Sequence, residues 1–259
     1  MNVFQLPVSQ AAVAIRPPAG AEELLMLEAA ASPAALAIAL LGRLAHRADA
    51  GAIDWHEMSA TDVDAALLHL RQVVFGDAIR AGVTCPGAQC RKPIDIGFGI
   101  SSYLQHHAPR PPRGVEPAQE AGWMRLCGAD VSFRLPSAGD QAAAALTGDP
   151  RRELIARCVR PAGIRAAALR RVENAMEAMA PNLARNLDAR CPECGAAVQV
   201  YFDPRRFCLT ELREHAAFIY EDTHLLAQHY HWPESDILAL PRDRRIRYVE
   251  IVRAARSAA

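Results

Sequence analysis

Four of the seven cysteines fall in two short pairs, Cys85-Pro86-Gly87-Ala88-Gln89-Cys90 and Cys191-Pro192-Glu193-Cys194-Gly195. Each pair sets two thiols around a turn that Pro or Gly favours. Such a turn aims backbone amides at a metal-bound sulfur pair, which is half of a tetrahedral four-thiolate zinc site. Cys85, Cys90, Cys191 and Cys194 are therefore the expected ligands of one structural Zn2+. Four thiolates close the coordination shell and leave no position for a reactive water, so a catalytic zinc is disfavoured. Reduced core cysteines and a redox pair are the competing readings of a short cysteine spacing.

The elements around these pairs have to bring them together, because residues 91–190 separate them. Each pair runs into an alternating apolar pattern: Ile94, Ile96, Phe98 and Ile100 after the first, Val198, Val200 and Phe202 after the second. Period-two alternation reads as a strand. Turn plus strand, twice, is the layout of a zinc ribbon, here joining distant parts of the chain. Cys127, Cys158 and Cys208 lie in apolar patterns and read as small buried hydrophobes.

The rest of the chain reads as mostly helical. Residues 1–20 read as an extended N-terminal arm. Helices are expected over 22–31 and 32–47, the second opened by Ser32 and Pro33. A longer amphipathic helix is expected over 61–81, capped by Thr61 and carrying Leu67, Leu68, Leu70, Val74 and Ile79 on its apolar face. Four prolines within 108–120 mark a loop. A hairpin over 123–135 and helices over 137–146, 150–160 and 164–179 follow. Leu212, Ala216, Ile219, Thr223, Leu226 and Tyr230 recur at helical spacing and predict one continuous helix that Trp232-Pro233 stops. Short helix 235–240 and basic helix 242–256 close the chain. The expected fold class is mostly α with a small zinc-ribbon-like sheet, an α+β chain. The segments are an arm (1–20), N-terminal helices (21–82), a ribbon-like region with inserted hairpin and helices (83–210) and a C-terminal helix–corner–helix unit (211–259).

Composition narrows the function. With 259 residues, 51% of them hydrophobic, the chain can bury a substantial core. Its 29 basic residues balance 29 acidic ones, so no global field steers it to nucleic acid or membrane. The longest apolar run, residues 34–41, is too short to span a bilayer. The first 15 residues lack Lys and Arg, which does not fit a secretory signal. Paired, metal-type cysteines fit a reducing cytoplasm. Glu221-Asp222-Thr223-His224 matches one Glu-x-x-His unit of a di-iron bundle, but no second unit accompanies it. His224 and His229 are five apart and do not stack as a ligand pair. Glu22-Glu23 and Glu211/Glu214 read as helix surface. No phosphate loop and no nucleophile elbow is present, and the chain reads as non-enzymatic.

The stretch from Glu221 through Tyr230-His231-Trp232-Pro233 to Ile237-Leu238-Ala239-Leu240-Pro241, followed by the Arg-rich segment 242–252, resembles the C-terminal unit of the T-even-phage family of baseplate hub assembly chaperones. That family also appears in phage-tail-like contractile injection systems. Phe133-Arg134-Leu135-Pro136, and Cys191 to Gly195 leading into Phe202-Asp203-Pro204, agree with it. The likeness covers most of residues 60–255; the zinc expectation rests on cysteine spacing alone. The resemblance implies a small cytoplasmic protein that helps assemble the baseplate or hub of a contractile tail, or stays in the particle as a minor component. Its partners would be hub or spike proteins, with no membrane involved. The expected partner surface is the apolar corner of Leu226, Tyr230, Trp232, Ile237 and Leu238, with Arg244 and Arg245. The alternative is a zinc-ribbon nucleic-acid binder using the C-terminal arginines.

Overall fold

A computed structural model describes residues 2–49 and 51–257. About 48% of the chain is helical and 20% lies in small antiparallel sheets, a mixed α+β architecture. In chain order the first elements are β1 (Asn2–Gln5), β2 (Ala12–Ile15), α1 (Gly20–Glu28), α2 (Pro33–Leu44), β3 (Ala45–Arg47), α3 (Ala60–Phe75), β4 (Ala78–Thr84), β5 (Pro93–Gly99) and α4 (Ile100–His106). Then come β6 (Val115–Pro117), β7 (Trp123–Leu126), β8 (Ser132–Arg134), α5 (Ala138–Ala144), α6 (Pro150–Cys158), β9 (Val159–Arg160) and α7 (Ala166–Met179). The chain closes with β10 (Arg185–Arg190), β11 (Ala197–Phe202), α8 (Pro204–Ala216), α9 (Ile219–Tyr230), α10 (Glu234–Ala239) and α11 (Arg242–Ser257).

Local chemistry sets the helix starts. The Ser32 and Ser59 hydroxyls accept from the Ala35 and Asp62 amides and cap α2 and α3. Asp149 and Asp203 each cap a helix whose first residue is a proline, α6 and α8. Each such cap satisfies one of the orphan N–H groups that every helix leaves at its start. Ser59, two residues before Thr61, is the cap of α3; the Thr61 hydroxyl instead donates to the Pro181 carbonyl at 2.9 Å.

The main core packs α1, α2, α3, α4 and α8 beneath the β1–β2–β3 sheet. Leu6, Val13 and Ile15 are fully buried in it. The N-terminal arm is extended as expected but not peripheral: β1 and β2 form a hairpin that places these residues in the core. Asp62, at the start of α3, accepts from the Val8 and Ser9 amides at 2.8 and 2.9 Å and so fixes the turn of that hairpin. Helix α8 belongs to this core as well, so the segment boundary expected at 210/211 cuts through a packed helix.

A second cluster sits under the β6–β7–β8–β9 sheet, where Leu126, Phe133, Val159 and Val172 are buried against α6 and α7. Its link to the main core is polar. Arg134, at the end of β8, donates to both carboxylate oxygens of Asp140, whose Oδ2 also accepts from the Ser137 amide at 3.0 Å. Burial raises the Asp140 carboxyl, but Arg134 and the Ser137 donors overcome that and hold it at about 2. Because this folded value lies below the unfolded one, the stabilisation is complete above pH 4 and is lost as pH falls from 4 through 2. Asp140→Asn should lower unfolding free energy at pH 7 by about 2 kcal/mol. In urea titrations its deficit against the parent should shrink as pH drops below 4; a deficit independent of pH would refute the assignment.

The last cluster joins α9, α10 and α11 around Leu226, Ile237, Val249 and Val252. It lies close against α1: a Cβ added at Gly20 would fall 2.7 Å from Leu238 Cδ2 and 2.8 Å from Leu238 Cα, contacts only a glycine admits. The expected single helix over 212–230 is two, α8 and α9, broken at Ala217-Phe218. The stripe divides at the break: Leu212 and Ala216 of α8 enter the main core, whereas Leu226 and Tyr230 of α9 pack into the C-terminal cluster.

Candidate metal centre

Two hairpins carry the cysteines. β4 pairs antiparallel with β5 from Ala78↔Gly99 to Thr84↔Pro93, and β10 pairs with β11 from Arg185↔Phe202 to Arg190↔Ala197. The cysteine turns are the tips of these hairpins. Sequence reasoning found the outgoing strands, β5 and β11, and missed the incoming ones. The helix expected over 61–81 takes in the first half of β4, residues 78–81; α3 instead ends at Phe75, and Gly76, with φ of 83°, turns the chain into β4. That glycine was the available signal, together with the alternation of Ile79, Ala81 and Val83. Leu187 and Ala189 between polar neighbours carried the same signal for β10.

Aromatic and polar contacts clamp the two hairpins at their base. The Phe98 and Phe202 rings meet edge to face at 5.1 Å, and Tyr103 from α4 packs against both at 5.2 and 5.4 Å. The Tyr103 hydroxyl donates to the Leu183 carbonyl just before β10. Arg71 of α3, nearly buried, donates to the Gly76 and Ala78 carbonyls at 2.7 Å each and pairs with Glu211 of α8 at 2.8 Å. The root of β4 is therefore tied to both main-core helices that flank it. Glu211 is a working partner in this lock and not the free surface residue the sequence suggested.

At the tips, one ligand atom from each of Cys85, Cys90, Cys191 and Cys194 lies within 4.8 Å of all the others. Cys85 Sγ is 3.6 Å from Cys194 Sγ, and Cys90 Sγ is 3.9 Å from Cys191 Sγ, both contacts running between the hairpins. Cys85 and Cys191 are buried, Cys90 is half-buried and Cys194 is exposed. These four can together hold a metal ion. Among the described residues no other group of three or more His, Cys, Asp or Glu gathers in this way.

The two tips repeat one backbone design. Cys85 and Cys191 each donate their amide to the residue that re-enters the hairpin, Lys92 and Ala196, at 2.9 Å. The residue after each second cysteine, Arg91 and Gly195, takes a left-handed conformation with φ of 47° and 72°. This reverses the chain and turns amides inward. The Gly87 amide donates to Cys85 Sγ at 3.4 Å. Gly87 also packs against the facing tip, where an added Cβ would sit 3.4 Å from Cys194 Sγ.

As free thiols, Cys85 and Cys191 are pushed in opposite directions. For Cys85 the Gly87 amide favours the thiolate, but burial and the neighbouring sulfurs outweigh it and push the thiol up to about 12. Burial also raises Cys191, while the Cys194 and Glu193 amides and the surrounding thiols bring it down to about 7. One sulfur is thus primed as a thiolate, and a bound cation would draw the protons off the rest. Lys92 and Glu193 form an ion pair between the tips, with the ammonium close to the cluster.

The other candidate residues fall elsewhere. Cys158 and Cys208 are buried as expected, whereas Cys127 is exposed. Glu221, His224 and His229 face solvent on α9. The C-terminal corner is a correction in part: Leu226, Ile237 and Arg245 are each fully buried and cannot meet a partner. Tyr230, Trp232 and Leu238 are half-buried, with the Tyr230 and Trp232 rings stacked at 4.7 Å and Tyr248 edge-on to Trp232 at 5.1 Å. Arg244 alone of that set is exposed. Glu22 and Glu23, read as helix surface, are buried ion-pair partners of Arg16 and of Arg242 and Arg245. Among the described residues no helix is long and apolar enough to cross a membrane. Comparison with protein-family models, with curated proteins and with solved structures found no match to this chain.

Proposed function

We propose that the cysteine cluster holds one structural Zn2+, that the two hairpins form a zinc ribbon around it, and that the chain is a non-enzymatic assembly factor or minor component of a contractile-tail baseplate. The observation that carries the metal reading is the convergence of four thiols from turns a hundred residues apart in the chain. A Zn–S bond of about 2.3 Å gives a tetrahedral sulfur–sulfur edge of about 3.8 Å. The 3.6 and 3.9 Å contacts bracket that edge. Zinc supplies no reaction in such a closed shell; its part is to hold the tips together.

The baseplate reading rests on the resemblance of the C-terminal unit, whose helix–corner–helix is folded and locked onto α1. Since its most apolar residues are spent on internal packing, a client would meet the exposed Phe218, Tyr220 and Ile251, and the exposed Arg244. The nucleic-acid alternative loses ground because Arg242 and Arg245 are paired inward with Glu23, and Arg247 pairs with Glu250. Co-expression with the hub and spike proteins of a contractile-tail gene cluster tests the proposal. A tagged chain should co-purify with one of them and keep it soluble, and Phe218→Asp with Ile251→Asp should abolish that without changing the melt. Recovery of the chain free of every baseplate component would reject it.

A further inference from the structure

Each sulfur of the cluster has a neighbour on the opposite hairpin, and the four differ sharply in access. We propose that the centre is a site of oxidative modification in which hydroperoxide converts the metal staple into two disulfides running between the hairpins, Cys85 to Cys194 and Cys90 to Cys191. The inference rests on the reading of the cluster as a metal centre.

Access decides which sulfur reacts first. Cys194 is the exposed member, while Cys85 and Cys191 are buried in one apolar cluster with Ile94 and Val198. Thiolate character and exposure set susceptibility to peroxide. The Cys194 thiolate attacks the peroxide O–O bond, takes one oxygen as sulfenic acid and releases hydroxide. The Cys85 thiolate, 3.6 Å away, then attacks the Cys194 sulfur, forms the S–S bond and expels the second hydroxide. Two thiolates have lost two electrons, and the peroxide has gained them and, with two protons, leaves as two waters. At that moment Cys90 and Cys191 remain as the only ligands, too few to retain the ion. A second peroxide acts on Cys90, the half-buried sulfur, and Cys191 resolves it at 3.9 Å.

The order of events favours crosslinks between the hairpins over closure within each cysteine turn. The first bond forms while the metal still registers the tips. The second forms when the first bond, the Lys92–Glu193 pair and the Phe98–Phe202 clamp hold them in place. A metal-free chain oxidised after its tips have parted should instead close each turn on itself. The modification would keep the fold stapled when the ion is lost, so the chain would tolerate an oxidising step in its history.

The experiment treats purified, metal-loaded protein with hydrogen peroxide beside a chromophoric zinc chelator, followed by tryptic mapping without reductant. Peptide 81–91 holds both cysteines of the first turn and peptide 191–205 both of the second. The expected result is release of one zinc per chain, with the two peptides joined by two disulfides. Fragmentation between the paired cysteines should assign them as Cys85–Cys194 and Cys90–Cys191. Cys194→Ser should slow zinc release at least about tenfold, as expected when the exposed thiolate that reacts first is gone. Two unlinked peptides, each closed on itself, the diagonal pairing, or sulfinic and sulfonic acids at Cys194 without crosslinks would overturn the proposal. Failure to find any zinc before oxidation would refute the metal reading, which is a separate result from the pairing that the map reads.

Discussion

Stripping the proposed zinc should erase hydrogen-exchange protection along residues 81–94 and 187–200 while the helical core stays folded. The tips have little else to hold them. Their buried apolar content is Ile94 and Val198 with two of the cysteines, backed by partly buried Val83, Ile96 and Val200. A two-stranded hairpin is marginal in water on its own, and here two such hairpins meet only through side chains and sulfur. Four-thiolate zinc binding in small peptides is worth on the order of 10–16 kcal/mol apparent, much of which offsets the ordering of the ligands. If about 4 kcal/mol remains as net stabilisation of the tips, protection there falls by about a thousandfold on removal. The base is another matter, because Phe98, Tyr103, Phe202 and the Arg71 lock belong to the main core. Exchange should therefore accelerate toward the tips and fade about 20 Å away, the length of a six-residue strand, with far-ultraviolet circular dichroism nearly unchanged. Exchange mass spectrometry with and without a chelator, and on Cys191→Ser with Cys194→Ser, measures this. Elemental analysis that finds no metal, together with identical exchange in all three samples, would sink it.

Much of this centre was legible in the sequence because its determinants are local. A cysteine pair around a Pro or Gly turn and an alternating run of Ile or Val are both short-range signals, and so are Ser32-Pro33 and Asp149-Pro150 at helix starts. What escaped reading was non-local or ambiguous in period. Ile79 fits both the helical spacing from Leu68 and the strand alternation with Ala81 and Val83, and only the positive φ at Gly76 separates the two. The stripe from Leu212 to Tyr230 keeps a helical rhythm across the break between α8 and α9, although the two helices bury their parts of it in different clusters. Residues 2–15 looked peripheral because the Asp62 carboxylate that fixes their turn lies more than 50 positions away. Burial of charge is the least legible of all. Glu23 and Arg245 sit 222 positions apart, and nothing near either one announces the other.

That buried network is where a single substitution should cost most. Glu23 of α1 is nearly inaccessible and accepts from Arg242 Nη1 at 3.0 Å and from Arg245 Nη2, while Arg245 Nε reaches Asp222 of α9 at 3.4 Å. Two guanidinium groups from α11 thus converge on one carboxylate of α1. Arg245 Nη1 and Arg242 Nε have no protein partner even so. Glu23→Met would leave Arg245 with Asp222 alone inside the core. Breaking a buried pair in this way is expected to cost about 3–5 kcal/mol, because the surviving charge is stranded away from water. Arg245→Met in the same chain should return part of that loss, since removing both charges replaces an ion pair by apolar volume. A double-mutant cycle in urea should therefore give a coupling of at least about 1 kcal/mol between the two positions. Because Glu23 is the main polar tie between the C-terminal unit and α1, the single variant should also expose the Ala217-Phe218 junction to limited proteolysis before the rest of the chain. A change below about 1 kcal/mol with an unaltered cleavage pattern would mean that Gly20 against Leu238 and the surrounding apolar contacts seat the unit without help from charge.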